Sequence, residues 1–175
     1  MKKFILTIVL IFAVIIGCKT NSSNGTANKL NVVFEAKSNS NVSGSGVFSE
    51  KNGNVTFTAN FKGLKPGIHA IHIHEKSDCT AADGSSAGGH WNPTFKKHGK
   101  LGDGEAHKGD IGNFTTDELG NGTISFTTSE WCIGCGDATK DIIGKSLIVH
   151  GGADDYVTQP TGNSGARVAC SAIIK

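Results

Sequence analysis

Apolar and polar residues alternate one by one through much of this chain. Leu30, Val32, Phe34 and Ala36 interleave with Asn31, Val33, Glu35 and Lys37, and Val55, Phe57, Ala59 and Phe61 interleave with Thr56, Thr58, Asn60 and Lys62. A period of two puts alternate side chains on opposite faces, so these segments read as half-buried β-strands. Further strands are expected near 43–50, 67–75, 104–111, 122–128, 145–150 and 166–174. Turn signals such as Lys51-Asn52-Gly53-Asn54 and Leu119-Gly120-Asn121-Gly122 fall between them. Eight short strands with almost no helical period predict an all-β domain, an eight-stranded Greek-key β-barrel or Ig-like sandwich. Two stretches, 76–103 and 151–166, break the alternation and read as long functional loops.

The 175 residues suit one domain behind a leader. Gly is abundant, at 24 residues, which fits strands joined by turns. At the start, Lys2 and Lys3 precede an apolar run from Phe4 to Ile16, and Gly17-Cys18 follows at once. That run is too short and wrongly flanked for a spanning helix. It predicts a signal peptide over 1–17. A Cys directly after a small residue resembles a bacterial lipoprotein signal, with Cys18 lipidated. Residues 18–29 then form a polar tether, and the domain occupies 30–175. Such an anchor holds a protein to a membrane without spanning it. The expected location is the bacterial cell envelope, facing the periplasm or the cell surface.

The full chain carries a formal charge of +2, and the leader removes Lys2 and Lys3, so the mature chain is formally neutral. No basic stripe remains, and nucleic acid is not an expected partner. Export implies an oxidising compartment. Cys79, Cys132, Cys135 and Cys170 remain there, an even number that fits two disulfides without fixing their pairing.

Six of the seven histidines fall in a spaced series: His72-x-His74, His90, His98, His107-x-x-Asp110 and His150. In the segment 67–75, Ile71 and Ile73 share one face while His72 and His74 share the other. With the isoleucines inward, both imidazoles point off the core. Leu147 and Val149 likewise leave His150 facing out. Three such imidazoles on an outer wall can converge on one ion, and an imidazole array suits copper. His90, His98, His107 and Asp110 offer three nitrogens and a carboxylate, a set that fits tetrahedral zinc. His69 shares parity with the isoleucines and reads as a structural, hydrogen-bonded histidine.

These residues resemble the copper/zinc superoxide dismutase family in its bacterial exported form. The matching stretches are GIHAIHIHE (67–75), SAGGHWNP (86–93), KHG (97–99), EAHKGDIGN (105–113), DIIGKSLIVH (141–150) and GNSGARVAC (162–170). The resemblance implies dismutation of superoxide to dioxygen and hydrogen peroxide, protecting the cell envelope. His72, His74, His90 and His150 would hold a redox-cycling copper, and His90, His98, His107 and Asp110 a structural zinc. His90 would be shared by both and take part in catalysis. Asp154 matches a carboxylate that hydrogen-bonds one ligand of each metal. Arg167 matches a catalytic guanidinium beside the copper, and Thr161 a residue narrowing the substrate channel. Cys79 and Cys170 match the family's disulfide. A homodimer is compatible with the resemblance, although exposed residues do not select an interface.

Two departures stand out. Cys132-Ile133-Gly134-Cys135 lies outside the family pattern; a CxxC can be redox-active or bind metal, and here a local structural disulfide is the favoured reading. Pro160 stands where a Lys is often seen, so long-range attraction of superoxide falls to other lysines such as Lys96, Lys97 or Lys108.

Overall fold

The computed structural model describes residues 28–175. The leader, Cys18 and all but the last two residues of the expected tether lie outside the described residues. Eight strands follow in chain order: β1 (Asn28–Ala36), β2 (Ser43–Lys51), β3 (Asn54–Lys62), β4 (Gly67–His74), β5 (Gly112–Thr116), β6 (Gly122–Thr128), β7 (Lys145–His150) and β8 (Arg167–Ile173). One short 3₁₀ turn spans Ser85–Ala87. The strands close into an antiparallel barrel in the order β1-β2-β3-β6-β5-β4-β7-β8. The chain-order neighbours β4 and β5 thus sit between β6 and β7, the non-sequential placement of a Greek key.

Alternation explains β3 fully. Val55, Phe57, Ala59 and Phe61 are buried, and their neighbours face outward or sit at the rim. Val32 and Phe34 of β1 join the same core, but Ala36 is exposed and Lys37 is buried instead. The alternation slips there because the chain leaves β2 and pairs with β8 through Glu35 and Ala36. Aromatic rings fill the barrel: Phe34 meets Phe61 edge-on at 4.9 Å, and Phe61 stacks on Phe114 at 5.0 Å. Such pairs add about 0.5–1.5 kcal/mol beyond the area they bury.

The expected strand over 104–111 is not one. Residues 75–111 form a continuous loop, and the fifth strand begins at Gly112. Backbone contacts explain this. Ile73 N–H donates to Gly109 O at 2.9 Å, Gly109 N–H donates to Trp91 O at 3.0 Å, and Trp91 N–H donates to Ile73 O at 2.9 Å. A Cβ on Gly109 would collide with Ile73 O, so only glycine lets this turn lie flat on the end of β4. The segment is tied to β4 by its backbone rather than paired along a strand. Differences elsewhere are small: β1 starts at Asn28, inside the expected tether, and β4 and β8 end within a residue of the expected limits.

A third long connection, 129–144, joins β6 to β7 and carries Cys132 and Cys135. Both cysteine pairs are bonded, Cys79 to Cys170 and Cys132 to Cys135. The first ties the 75–111 loop to β8. Among the described residues no helix is long and apolar enough to cross a membrane.

Candidate metal centre

β4 is buried on both faces from His69 to His74, because loops 75–111 and 151–166 cover its outer side. His72 and His74 point from that outer side beneath the loops. β7 pairs with β4 through His72↔Ile148 and His74↔Ser146, and ends at His150. A bulge after Val149 shifts the β7–β8 register and sets His150 opposite Arg167. An isolated bridge between His74 and His90 brings the loop's first histidine alongside β4.

Two groups result. The candidate ligand atoms of His72, His74, His90 and His150 lie within 4.8 Å of one another, and so do those of His90, His98, His107 and Asp110. His90 belongs to both, and every member is buried. His69 is in neither group. Its ring nitrogens lie 2.9 Å from His150 O and 2.8 Å from Lys65 O.

Most of these rings are fixed by one nitrogen. His72 Nε2–H donates to Asp154 Oδ2 at 2.8 Å, and His98 Nε2–H to Asp154 Oδ1 at 2.9 Å. His74 Nδ1–H donates to Gly88 O at 2.9 Å, and His150 Nδ1–H to Gly165 O at 3.2 Å. His90 Nδ1 is 2.9 Å from Asp110 Oδ1. The opposite nitrogens, namely Nδ1 of His72 and His98 and Nε2 of His74, His90 and His150, are buried without a hydrogen bond, as is Nδ1 of His107. His98 Nδ1 and His107 Nδ1 approach Asp110 at 3.0 and 3.2 Å, yet not in hydrogen-bonding geometry. They and the carboxylate aim at a common point.

A buried polar atom without a partner is costly. Six in one place, five of them on imidazoles anchored through the other nitrogen, is what a pair of metal ions would satisfy. Anchoring one ring nitrogen to an oxygen also selects the tautomer that leaves the other free to ligate. The donor set therefore fits copper in the first group and zinc in the second.

The electrostatics agree. Burial, the neighbouring His90 and His150 rings and Arg167 hold His74 well below the usual imidazole range. Burial and the adjacent rings do the same to His150. Burial lowers His90 to about 4, against the pull of Asp110. These rings are neutral near pH 7, as ligands must be. Burial also disfavours a charged His98, but the Asp110 and Asp154 carboxylates on either side outweigh it and raise the ring to about 9. Burial alone would raise Asp110, yet the close His107, His90 and His98 rings and the Gly99 N–H hold it far below the carboxylate range. A pocket negative enough to keep a proton on His98 is equally suited to a divalent cation.

Arg167, half-buried at the start of β8, donates from Nη1 to Gly84 O at 2.8 Å and from Nη2 to Gly88 O at 2.7 Å. Gly88 O also receives His74 Nδ1–H, so one carbonyl fixes both the guanidinium and a ring of the first group. Thr161 sits in the 151–166 loop, where its carbonyl accepts from Ser164 Oγ at 3.0 Å.

Three residues that shape the site escape a reading of the sequence. Asn113 donates to Asp154 O and accepts from Asp154 N–H, each at 2.8 Å, and so holds the carboxylate that links the two groups. The Gln159 side chain accepts from His98 N–H at 2.8 Å and donates to His98 O at 3.0 Å, pinning that ring's backbone. Gly162, at φ 65°, lies against the Asp154–His98 contact, and a Cβ there would overlap both partners. No spacing rule flags an amide or a glycine that acts only after the loops have folded. We expect Gly162→Ala to part Asp154 from His98 and weaken zinc affinity by about 10–100-fold, the usual cost of losing a bond behind a ligand. Zinc titration against a chromophoric chelator checks this; unaltered affinity would show that the loop can yield.

The comparisons with known proteins point the same way. The family model described as copper/zinc superoxide dismutase (SODC) matches residues 42–173. A protein of Aquifex aeolicus (strain VF5), named superoxide dismutase [Cu-Zn] 2, is 39% identical over 127 residues, covering 71% of this chain and 74% of that protein. The crystal structure of the clock protein EA4 superposes with a TM-score of 0.73 at 32% identity, covering 86% of this chain and 97% of that one. The interleaved histidine groups, the barrel that carries them and the family match together place this chain in the copper/zinc superoxide dismutase family.

Proposed function

We propose that this superoxide dismutase holds copper on His72, His74, His90 and His150 and zinc on His90, His98, His107 and Asp110, with His90 as the shared imidazole. The observation that carries this reading is His90 itself, with Nδ1 beside Asp110 and Nε2 buried and free in the first group. Copper supplies alternate one-electron oxidation and reduction of superoxide, while zinc has no redox part.

The protein's own groups do the rest. Arg167 presents a permanent positive charge next to His74 and His150, close enough to depress both rings, and so attracts a small anion to the copper side. Thr161 borders the approach and limits it to small ligands. His90 Nε2 holds a proton in one half of the cycle and gives it to the departing peroxide in the other; solvent supplies the second. Asp154 orients His72 and His98 throughout. The leader and Cys18 suggest export and lipid anchoring, so the protection extends to the cell envelope, with the anchor as the only membrane contact.

The shared imidazole is tested by loading the second group with Co(II) and the first with Cu(II). Ions joined through His90 should be magnetically coupled, suppressing the copper EPR signal of the Cu(II)-only protein. An unchanged signal at full loading of both groups would refute the bridge. For Arg167→Ala, we expect both metals to stay and kcat/KM to fall about tenfold or more at low ionic strength, the scale on which local charge alters an anion's encounter rate. Pulse radiolysis with parallel metal analysis gives the answer; an unchanged rate removes Arg167 from the mechanism.

A further inference from the structure

The 129–144 connection holds a sulfur pair that the metal chemistry does not use. Cys135 is exposed and Cys132 is 7% exposed, whereas in the other bridge Cys170 is fully buried and Cys79 partly so. The sequence separation is only 3 for Cys132–Cys135, against 91 for Cys79–Cys170. A ring that short restricts the unfolded chain little, so it adds little as a staple.

The turn is also held without it. Asp141 Oδ1 accepts the Gly134 N–H at 2.8 Å and the Ile143 N–H at 3.1 Å, and Oδ2 accepts the Gly136 N–H at 2.8 Å. Cys132 N–H donates to Lys140 O at 2.9 Å, and Ile142 N–H to Cys132 O at 3.2 Å. Trp131, next to Cys132, is buried against Phe48 and Phe126 and donates Nε1–H to Lys108 O at 2.8 Å. Both sulfurs thus stay on one frame whether or not they are joined, the condition for a reversible couple. The Lys175 ammonium reaches over Gly134, between the cysteines in sequence, and offsets the charge of the Asp141 carboxylate, which lies within 4.8 Å of both sulfurs.

We infer that Cys132 and Cys135 form a thiol–disulfide exchange site whose substrate is a protein dithiol. A thiolate of the partner attacks the exposed Cys135 Sγ. The Cys132–Cys135 bond breaks, and Cys132 leaves as a thiolate. The partner's second thiol, as its thiolate, then attacks its own sulfur in the mixed disulfide and releases Cys135. The partner is oxidised to its disulfide, and this chain takes up two electrons and the two protons lost by the partner as the dithiol forms.

The test uses the metal-loaded protein with reduced thioredoxin as the dithiol probe, alkylation by iodoacetamide and peptide mass analysis. Cys132 and Cys135 should open together at least about tenfold faster than Cys79–Cys170, and reclose with oxidised thioredoxin, while copper and zinc contents hold. Opening no faster than Cys79–Cys170, or a parallel loss of either metal, overturns the exchange site in favour of a structural staple. Single variants test the order of attack. In Cys132→Ser the remaining Cys135 should react with an aromatic disulfide reagent about tenfold or more faster than the remaining Cys132 in Cys135→Ser. Equal or reversed rates overturn Cys135 as the attacked sulfur.

Discussion

Replacing His72 with alanine is expected to bring dismutase activity down to the buffer background. Two losses combine. The first group gives up the Nδ1 that faces it, and Asp154 Oδ2 gives up the ring it orients. Three imidazoles remain, but the path from β4 through Asp154 to His98 on the loop that carries His90 has gone. Copper content measured on dialysed protein should fall with activity, while zinc falls less, because its own four candidate ligands are intact. A His72→Ala protein that kept both a full copper complement and normal turnover would remove this residue from the ligand set.

The second large effect is expected at Asp110. Its carboxylate faces His90 Nδ1 at 2.9 Å, accepts the Gly99 N–H at 3.1 Å and the His107 N–H at 2.8 Å, and lies 3.0 and 3.2 Å from His98 and His107 Nδ1. Alanine removes the only carboxylate of the second group and strands two buried N–H donors, each worth about 1–3 kcal/mol when left unpaired. Zinc should be lost first, by elemental analysis. Backbone amides of residues 97–110 should then exchange with solvent far faster than those of β3, as expected when one segment opens while the barrel persists. The acid side has a definite sign. The Asp110 carboxyl lies below its unfolded value, so its contribution is complete above the ordinary carboxylate range and fades as pH falls through the folded value. Zinc retention of the unmodified protein should weaken with acid, never with mild base in this range.

Much of the barrel and both histidine groups can be anticipated from spacing, and the reason is geometric. In β4 and β7 the parity of one apolar residue fixes the direction of the next, so Ile71, Ile73, Leu147 and Val149 determine where His72, His74 and His150 point. Loops carry no such rule. Residues 104–111 alternate enough to suggest a strand, yet Gly109 lets the backbone cross the end of β4 instead. The 129–144 connection has no periodicity to reveal its length. Gln159 and Asn113 act through their amides on backbone groups some 60 and 41 residues away, and distant partners of that kind leave no local trace. The family resemblance supplies the roles expected of Asp154 and Arg167, whose contacts depend on two loops folding over one another.

The carbonyl of Gly88 has a broader implication. It accepts hydrogen bonds from both Arg167 and His74, so on the proposed assignment one backbone atom would gear substrate attraction to the electronic character of the copper ligand set. Selection cannot retune one without disturbing the other. Variants that change anion preference through this stretch should bring altered reduction potentials with them, and improvements in both should arise at separate positions.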